Sequence, residues 1–174
     1  MKKLKPMDYE ILYELMKNAR RSDRQLAKIL HTSQPTVTRK RTFLEKELID
    51  GYTTIPRWED LGYEIFAITL VKSKSVLGSK EKYETVRKTG MDWLMKQPNI
   101  IMGGGCRGSG VNSFMISLHK NYSDYDEFMH NYRLELGDTS DDVQTVLINL
   151  NGRELLKPLH LKYLAEAKKS SNSK

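Results

Sequence analysis

The sequence lacks a set of cysteines and any long run of apolar residues. Cys106 is the single cysteine among 174 residues, which excludes an internal disulfide framework and any zinc finger built on paired cysteines. The longest apolar stretch, residues 65–71, is far shorter than the roughly 20 residues that cross a bilayer. The basic start, residues 1–6, does not lead into the apolar segment of a signal peptide. The four histidines also share no metal-ligand spacing. From these absences together we expect a soluble, cytoplasmic protein without a metal or other cofactor.

Acidic residues are in the minority, since 29 Lys and Arg stand against 22 Asp and Glu and give a net charge of +7. The excess lies at the two ends, with +4 in residues 1–60 and +4 in residues 151–174 around a central part of −1. Residues 20–41 alone hold seven basic residues and one acidic residue, Asp23. Such clustering predicts an anionic partner for the end segments and a different role for the centre.

Two short predicted helices, separated by only three residues, have the pattern of a helix-turn-helix. The first begins at Ser22, where Ser22 and Gln25 have the spacing of a capping box. The second begins near Gln34 with Pro35 in its first turn, where the missing N–H of proline costs nothing. Its start is rich in side chains that hydrogen-bond to base edges. The pattern predicts a DNA-recognition helix over residues 33–42.

The helical repeat gives this recognition helix a buried side and an outward side. With Val37 in the core, Thr38, Arg39 and Thr42 are expected to point away from it. Arg41 returns toward the core and is expected to send only its guanidinium outward. Gln, Arg and Thr suit base edges, and most of the nearby cations suit phosphates. A solvated charged face is the alternative for residues 39–41. We expect DNA contacts from Ser33, Gln34, Thr36, Thr38, Arg39, Lys40, Thr42, Arg20, Arg21, Arg24 and Lys28.

After a β-prone segment at residues 51–55, the predicted elements follow the order strand, helix, strand, strand, helix, strand and a final helix. The strands are expected at residues 65–71, 100–102, 114–118 and 143–150. Residues 72–80 are expected to form a loop, and Ser123 is expected to cap the helix before the last strand. The domains are expected to be residues 1–56, residues 57–151, and a C-terminal helix with a basic tail over residues 152–174.

Residues 8–71 resemble the N-terminal part of the Lrp/AsnC family of bacterial and archaeal transcription regulators. The resemblance runs through residues 8–15, 19–22, 25–27, 32–39, 44–47, 49–52 and 60–63. The βαββαβ order after them is similar to the family's ligand-sensing domain. The resemblance implies an α+β fold with an N-terminal winged helix-turn-helix, a ferredoxin-like sandwich and a C-terminal helix. It also implies binding to double-stranded DNA by a homodimer that is made through the sheets and often assembles into a higher oligomer.

Three positions depart from the family pattern. No glycine ends the recognition helix before Ile49, Arg41 replaces an apolar residue, and the central hairpin lacks the Gly-Asp-x-Asp-like pattern associated with amino-acid effectors. An effector site at this hairpin would consist of Arg107, Gly108, Ser109, Gly110 and Asn112. Its composition favours a small-molecule effector other than an amino acid, or none.

Two other functions remain open. An enzyme of the sirohaem decarboxylase type is similar in layout and would use Arg107, Arg133, His119 and His130 in the central domain. A DNA-compacting protein could use the same recognition helix with little base preference. Residues 103–108 satisfy the G-x-G-x-x-G dinucleotide pattern, but the segment after them is predicted to be a strand and not the required helix. The regulator, which needs no catalytic residue, is the function that we expect.

Overall fold

The computed structural model describes residues 4–74, 80–152 and 155–171. The chain divides into two compact units, Met1–Ile55 with Pro158–Lys174, and Pro56–Lys157. The final helix is therefore grouped with the N-terminal helices. The first unit carries a net charge of +8 and the second a net charge of −1. The positive excess of the chain thus lies entirely in the first unit.

The elements follow the predicted order along the chain. They are α1 Pro6–Lys17, α2 Asp23–Ile29, α3 Gln34–Glu47, β1 Ile65–Ser73, α4 Lys80–Lys96, β2 Ile100–Gly108, β3 Val111–His119, α5 Tyr122–Leu136, β4 Ser140–Asn149 and α6 Lys162–Ser171. Of the loop predicted at residues 72–80, residues 75–79 lie outside the described part of the chain. No helix in the described ranges has the length and apolar character that crossing a membrane would require.

The helices of the first unit pack around one apolar cluster. Its fully buried members include Ile11, Leu26, Val37 and Leu44, one or two from each of α1, α2 and α3. The helix α6 contacts α1, and its Ala165 is buried. These contacts make α6 a fourth helix of the first unit.

Local capping sets the ends of the helix-turn-helix. The amide of Gln25 donates to Ser22 Oγ at 3.2 Å, and the amide of Ser22 donates to Gln25 Oε1 at 2.8 Å, which confirms the predicted capping box. Ser33 caps α3, since its Oγ accepts from the amide of Thr36 at 3.4 Å. Between the two helices, His31 has a φ of 49°, and this left-handed residue allows the sharp turn.

The second unit is a four-stranded antiparallel sheet in the order β2-β3-β1-β4. Val71 and Met115 point to the face that α4 and α5 cover, where Trp93, Phe128 and other buried side chains complete the core. Because side chains alternate along a strand, their neighbours point to the opposite face. We call this opposite side the second sheet face, and its apolar members are Phe66, Ile68, Leu70, Met102, Phe114, Ile116, Leu118, Val146 and Ile148.

Two local predictions were wrong. Residues 51–55, which were predicted to be β-prone, make no strand. A β-prone segment needs a neighbouring strand to complete its hydrogen bonds, and no described segment pairs with it. The cap of α5 is not Ser123 but Asn121, whose Oδ1 accepts from the amide of Asp124 at 2.9 Å.

Candidate nucleic-acid interface

The outward side of α3 carries one continuous row of exposed side chains. Pro35, Arg39, Thr42 and Lys46 are all exposed, whereas Val37 on the other side is fully buried. Their spacing of four, three and four residues keeps them on one side of a helix over about 16 Å. We call these four residues the outer stripe. It has the length and position that a recognition helix presents to a DNA groove.

Two members of the predicted contact set lie in or beside this stripe without a side-chain partner. Arg39 and Gln34 are exposed and form no side-chain hydrogen bond or ion pair with the other described residues. Thr42 donates its hydroxyl to the carbonyl of Thr38 at 3.0 Å, which leaves its methyl group and a lone pair for a ligand. Lys46 was missed by the sequence reasoning, although its place seven residues after Arg39 already put it on the same side.

Three other predicted contacts have hydroxyls that bond within the protein. Ser33 Oγ and Thr36 Oγ1 lie 2.8 Å apart at the start of α3. Thr38 donates its hydroxyl to Asp23 Oδ2 at 2.6 Å and does not point it toward solvent. These hydroxyls shape the turn between α2 and α3. We therefore expect DNA contacts from them to be secondary.

Lys40 lies against α1. Its Nζ is 2.5 Å from Asp8 Oδ1, and Asp8 is only 4% exposed. Burial alone would raise the pKa of Asp8, but hydrogen bonds from Lys40 and from the amide of Lys5, together with the charge of Lys40, hold that pKa below its ordinary value. Sequence reasoning assigned Lys40 to phosphates because α1 was not considered as a partner. The geometry instead favours a structural role.

The predicted phosphate contacts on and near α2 separate into two groups. Arg21 is paired with the buried carboxylate of Glu14. Arg20, Arg24 and Lys28 are exposed, and their side chains have no hydrogen bond or ion pair among the described residues. Arg20 and Lys28 line a shallow groove of about 360 Å³ at the start of the helix-turn-helix, together with Asn18, Arg21, Gln25 and Ile29. The free cations thus lie on or just before the first helix of the motif, where phosphate contacts are usual.

The predicted effector residues form the turn between β2 and β3. Positive φ angles at Gly108, Ser109 and Gly110 make this turn. Asn112 does not point into a site, because its Oδ1 accepts from the amide of Ser73 at 3.0 Å and ties the hairpin to the end of β1. Arg107 is exposed. Of the predicted set, Arg107 and Ser109 are the side chains left to meet a ligand.

The four side chains that the enzyme alternative needs do not converge. Arg107 lies at the hairpin end of the sheet, and His119 ends β3 at the opposite end, eight residues or about 27 Å along the strand from Val111. His119 is fully buried, with its Nε2 2.8 Å from Ser117 Oγ and its ring against Phe128. Ser117, His119 and Asp124 thus lie near one another, but a fully buried imidazole gives a substrate no access.

Stability is expected to fall with acid because of His119. Burial lowers the pKa of His119 in the fold, and Asp124 opposes this only partly. The unfolded chain therefore takes up a proton at a higher pH than the folded chain does, so this part of the stability is present above pH 6.5 and is lost as the pH falls below it. Urea denaturation should give a lower free energy of unfolding at pH 5.5 than at pH 7.5. The variant His119→Gln should show a flatter dependence, and an equally steep one would assign the effect to other groups.

Comparison with known proteins finds similarity to transcriptional regulators over part of the chain and to solved structures over most of it. The AsnC-type helix-turn-helix domain matches residues 6–42. The uncharacterized HTH-type transcriptional regulator PH0061 of Pyrococcus horikoshii is 39% identical over 75 residues, which are 42% of this chain and 50% of that protein. The corresponding regulator PYRAB00690 of Pyrococcus abyssi is 36% identical over 73 residues, which are 41% and 49% of the two chains. The matched region spans about half the length of these curated relatives.

Solved structures share the fold over most of the chain. The crystal structure of PH0061 covers 92% of this chain and 99% of its own, with a TM-score of 0.72 and 23% identity. The AsnC protein of Escherichia coli covers 90% and 98%, with a TM-score of 0.70 and 17% identity. The regulator NMB0573 of Neisseria meningitidis, solved in complex with L-Met, covers 93% and 99%, with a TM-score of 0.75 and 18% identity.

Proposed function

We propose that this protein is a sequence-specific regulator that binds double-stranded DNA in the cytoplasm. The chain carries an AsnC-type helix-turn-helix domain within the fold of the Lrp/AsnC regulators. The observation that carries this proposal is the outer stripe of α3. Arg39 and Thr42 stand on it without competing ion pairs, and Arg can pair with both acceptors of a guanine edge. Lys46, at the far end, suits a phosphate at the groove margin.

Affinity is proposed to come mainly from the free cations of the first unit. Arg20, Arg24 and Lys28 neutralise phosphates and release the counterions that duplex DNA condenses. Binding should therefore weaken steeply with salt. The net charge of +8 on this unit also draws the protein to DNA before any base is read.

A homodimer is proposed to form through the second sheet face. Met102, Ile116, Ile68 and Val146 form one apolar row across all four strands. Val146 and Met102 are more than half exposed in the single chain, and an apolar surface of this kind is typical of a subunit interface. Two copies related by a two-fold axis bring two recognition helices to one duplex, so a roughly palindromic operator is expected. Further assembly of dimers is part of the same proposal.

Selection of bound duplexes from a random pool tests this function. Sequence-specific binding by a dimer should enrich a palindrome whose half-sites lie one helical turn, about 34 Å, or a multiple of it apart. Retention of random duplexes with equal affinity would instead favour a DNA-compacting protein, and retention of none would contradict both.

The change Arg39→Ala is expected to weaken binding to the selected operator by about 1–3 kcal/mol, because a bidentate contact to a base is lost. The loss should fall on one base position in each half-site, which titration of operators substituted at single positions will show. Lys46→Ala is the control on the same stripe, and it should weaken binding to every duplex alike and lower the salt slope by about one. A uniform loss with Arg39→Ala as well would make Arg39 a phosphate contact.

A small-molecule effector is proposed to bind at the turn between β2 and β3. Arg107 and Ser109 present exposed polar groups there, and the structural neighbour NMB0573 was solved with L-Met. The thermal unfolding temperature should rise with an effector, by an amount that depends on its concentration relative to its Kd. A panel of L-Met, other amino acids and small organic anions should give a rise that Arg107→Ala abolishes. A rise that Arg107→Ala leaves intact would place the effector elsewhere.

A further inference from the structure

A cluster of five side chains ties α2, α3 and the segment after α3 together. It begins at Asp23, the first residue of α2. Thr38 donates to Asp23 Oδ2 at 2.6 Å, and Arg41 Nη1 donates to Asp23 Oδ1 at 3.2 Å. Both oxygens of one carboxylate on α2 are thus held by α3. This arrangement fixes the first turn of α2 to the middle of the recognition helix.

The same Arg41 also holds the far end of α3 and the following segment. Its Nε donates to Glu45 Oε1 at 2.9 Å, and its Nη1 donates to the carbonyl of Arg21 at 3.0 Å. The guanidinium lies 5.5 Å from the ring centre of Tyr52, whose hydroxyl donates to Glu45 Oε1 at 2.9 Å. Arg41 therefore contacts Asp23, Glu45 and Tyr52, whereas Thr38 joins them through Asp23. We call these five residues the Arg41 cluster: Asp23, Thr38, Arg41, Glu45 and Tyr52.

The position of this cluster matters for the outer stripe. Thr38 directly precedes Arg39, and Arg41 directly precedes Thr42, so rotation of α3 about its axis moves both stripe residues at once. A side chain about 8 Å from the axis moves about 1.4 Å for each 10° of rotation, whereas a precise site needs its groups held within about 0.5 Å. The Lys40–Asp8 contact with α1 opposes such a rotation on one side of α3. On the side of α2, the directional contacts that oppose it are those of Thr38 and Arg41 with Asp23.

We propose that Arg41 is a positioning residue, which fixes the rotation of the recognition helix against α2 and so sets base discrimination without touching DNA. This inference rests on the proposed DNA-binding function. Through Tyr52 the same contact links the recognition helix to the segment that leaves the first unit, so displacement of Tyr52 loosens α3. The planar, forked guanidinium is required, because an ammonium cannot bond to two carboxylates and stack on a ring at the same time.

Arg41→Lys is the decisive variant because it keeps the charge. We expect about tenfold weaker binding to the selected operator, little change on a random duplex, and an unchanged salt slope. Arg87→Lys on α4 is the matched control, since Arg87 is an exposed guanidinium of the second unit, and it should change none of these quantities. Equal losses on both duplexes with a lower salt slope would make Arg41 a phosphate contact and overturn the proposal.

A measurement without DNA separates this proposal from the proposed function. Amide hydrogen exchange in residues 38–45 of the free protein should become about fivefold faster in Arg41→Lys. Tyr52→Leu should have a smaller effect in the same direction, and it is expected to fold because Tyr52 is 46% exposed. Unchanged exchange in both variants would overturn the positioning role. If the unaltered protein fails to distinguish the operator from random duplexes, the proposed function is wrong. The amide exchange rates of residues 38–45 would still decide whether the Arg41 cluster fixes the position of α3.

Discussion

Replacement of Lys40 by methionine is expected to lower the free energy of unfolding by about 3 kcal/mol, the largest effect of any single change considered for the first unit. The methionine fills the volume of the lysine stem but leaves the carboxylate of Asp8 buried without its cation. The amide of Lys5 still donates to Asp8 at 2.8 Å, so the loss should fall at the lower end of the range for a broken buried pair. Chemical denaturation measures it directly.

The double variant Asp8→Asn with Lys40→Met should recover most of this stability. Asn keeps an oxygen that can accept from the amide of Lys5 and removes the unpaired charge. The exposed Lys46 is the control on the same helix, and Lys46→Ala should change stability by no more than about 0.5 kcal/mol. A stable Lys40→Met protein whose DNA binding has a reduced salt slope would contradict the structural role and restore the phosphate contact predicted from the sequence.

Replacement of Val146 by glutamate is expected to convert the proposed dimer into monomers. In the single chain Val146 is 57% exposed, so the folded monomer tolerates a charge there. In the proposed dimer the carboxylate would be buried against an apolar row and left without a partner, which costs several kcal/mol. Operator affinity should fall by a factor of about 100 or more. In a dimer, binding of one subunit raises the effective concentration of the other subunit at the second half-site, and monomers lose this effect.

Light scattering with size-exclusion chromatography gives the mass of this variant, and operator titration gives its affinity. Thr85→Glu on the exposed side of α4 adds the same charge away from the second sheet face. It should leave both the mass and the affinity unchanged. A Val146→Glu protein that remains dimeric and binds the operator normally would show that the interface lies elsewhere.

The features that the sequence predicted correctly are those encoded locally. The capping box at Ser22 and Gln25 depends on residues three positions apart, and Pro35 marks the start of α3 for an equally local reason. The helical repeat also predicted the outward direction of Arg39 and Thr42, and it would have found Lys46 had it been continued by one turn. Such patterns can be recognised without knowledge of the remaining fold.

The partners of individual side chains could not be predicted in this way. Asp8 precedes Lys40 by 32 residues, and no spacing in the sequence links them. Asp23 likewise accepts from Thr38 and Arg41 only because α2 and α3 meet at one particular angle. Arg41 was expected to send its guanidinium outward, whereas the structure holds that guanidinium between Asp23, Glu45 and the ring of Tyr52.

The second unit repeats this division between local and long-range information. The order of strands and helices was predicted, whereas the full extent of β2 was not, because its glycines hide a strand. A Cβ on Gly103 would lie 2.9 Å from the side chain of Leu94, so a larger residue at this position would require the Leu94 side chain of α4 to move. In the first unit the error was the reverse, since a strand was predicted and none formed. The composition of residues 51–55 favours a strand, but no described segment lies beside them to pair with.

Photo-cross-linking from α3 tests most directly whether the outer stripe reads DNA. In a Cys106→Ser background, Thr42→Cys and Lys88→Cys each carry one photoreactive label, on α3 and on the exposed side of α4. With the selected operator, the account predicts cross-links from Thr42→Cys at one defined position in each half-site and none from Lys88→Cys. Cross-links from Lys88→Cys with none from Thr42→Cys would contradict it.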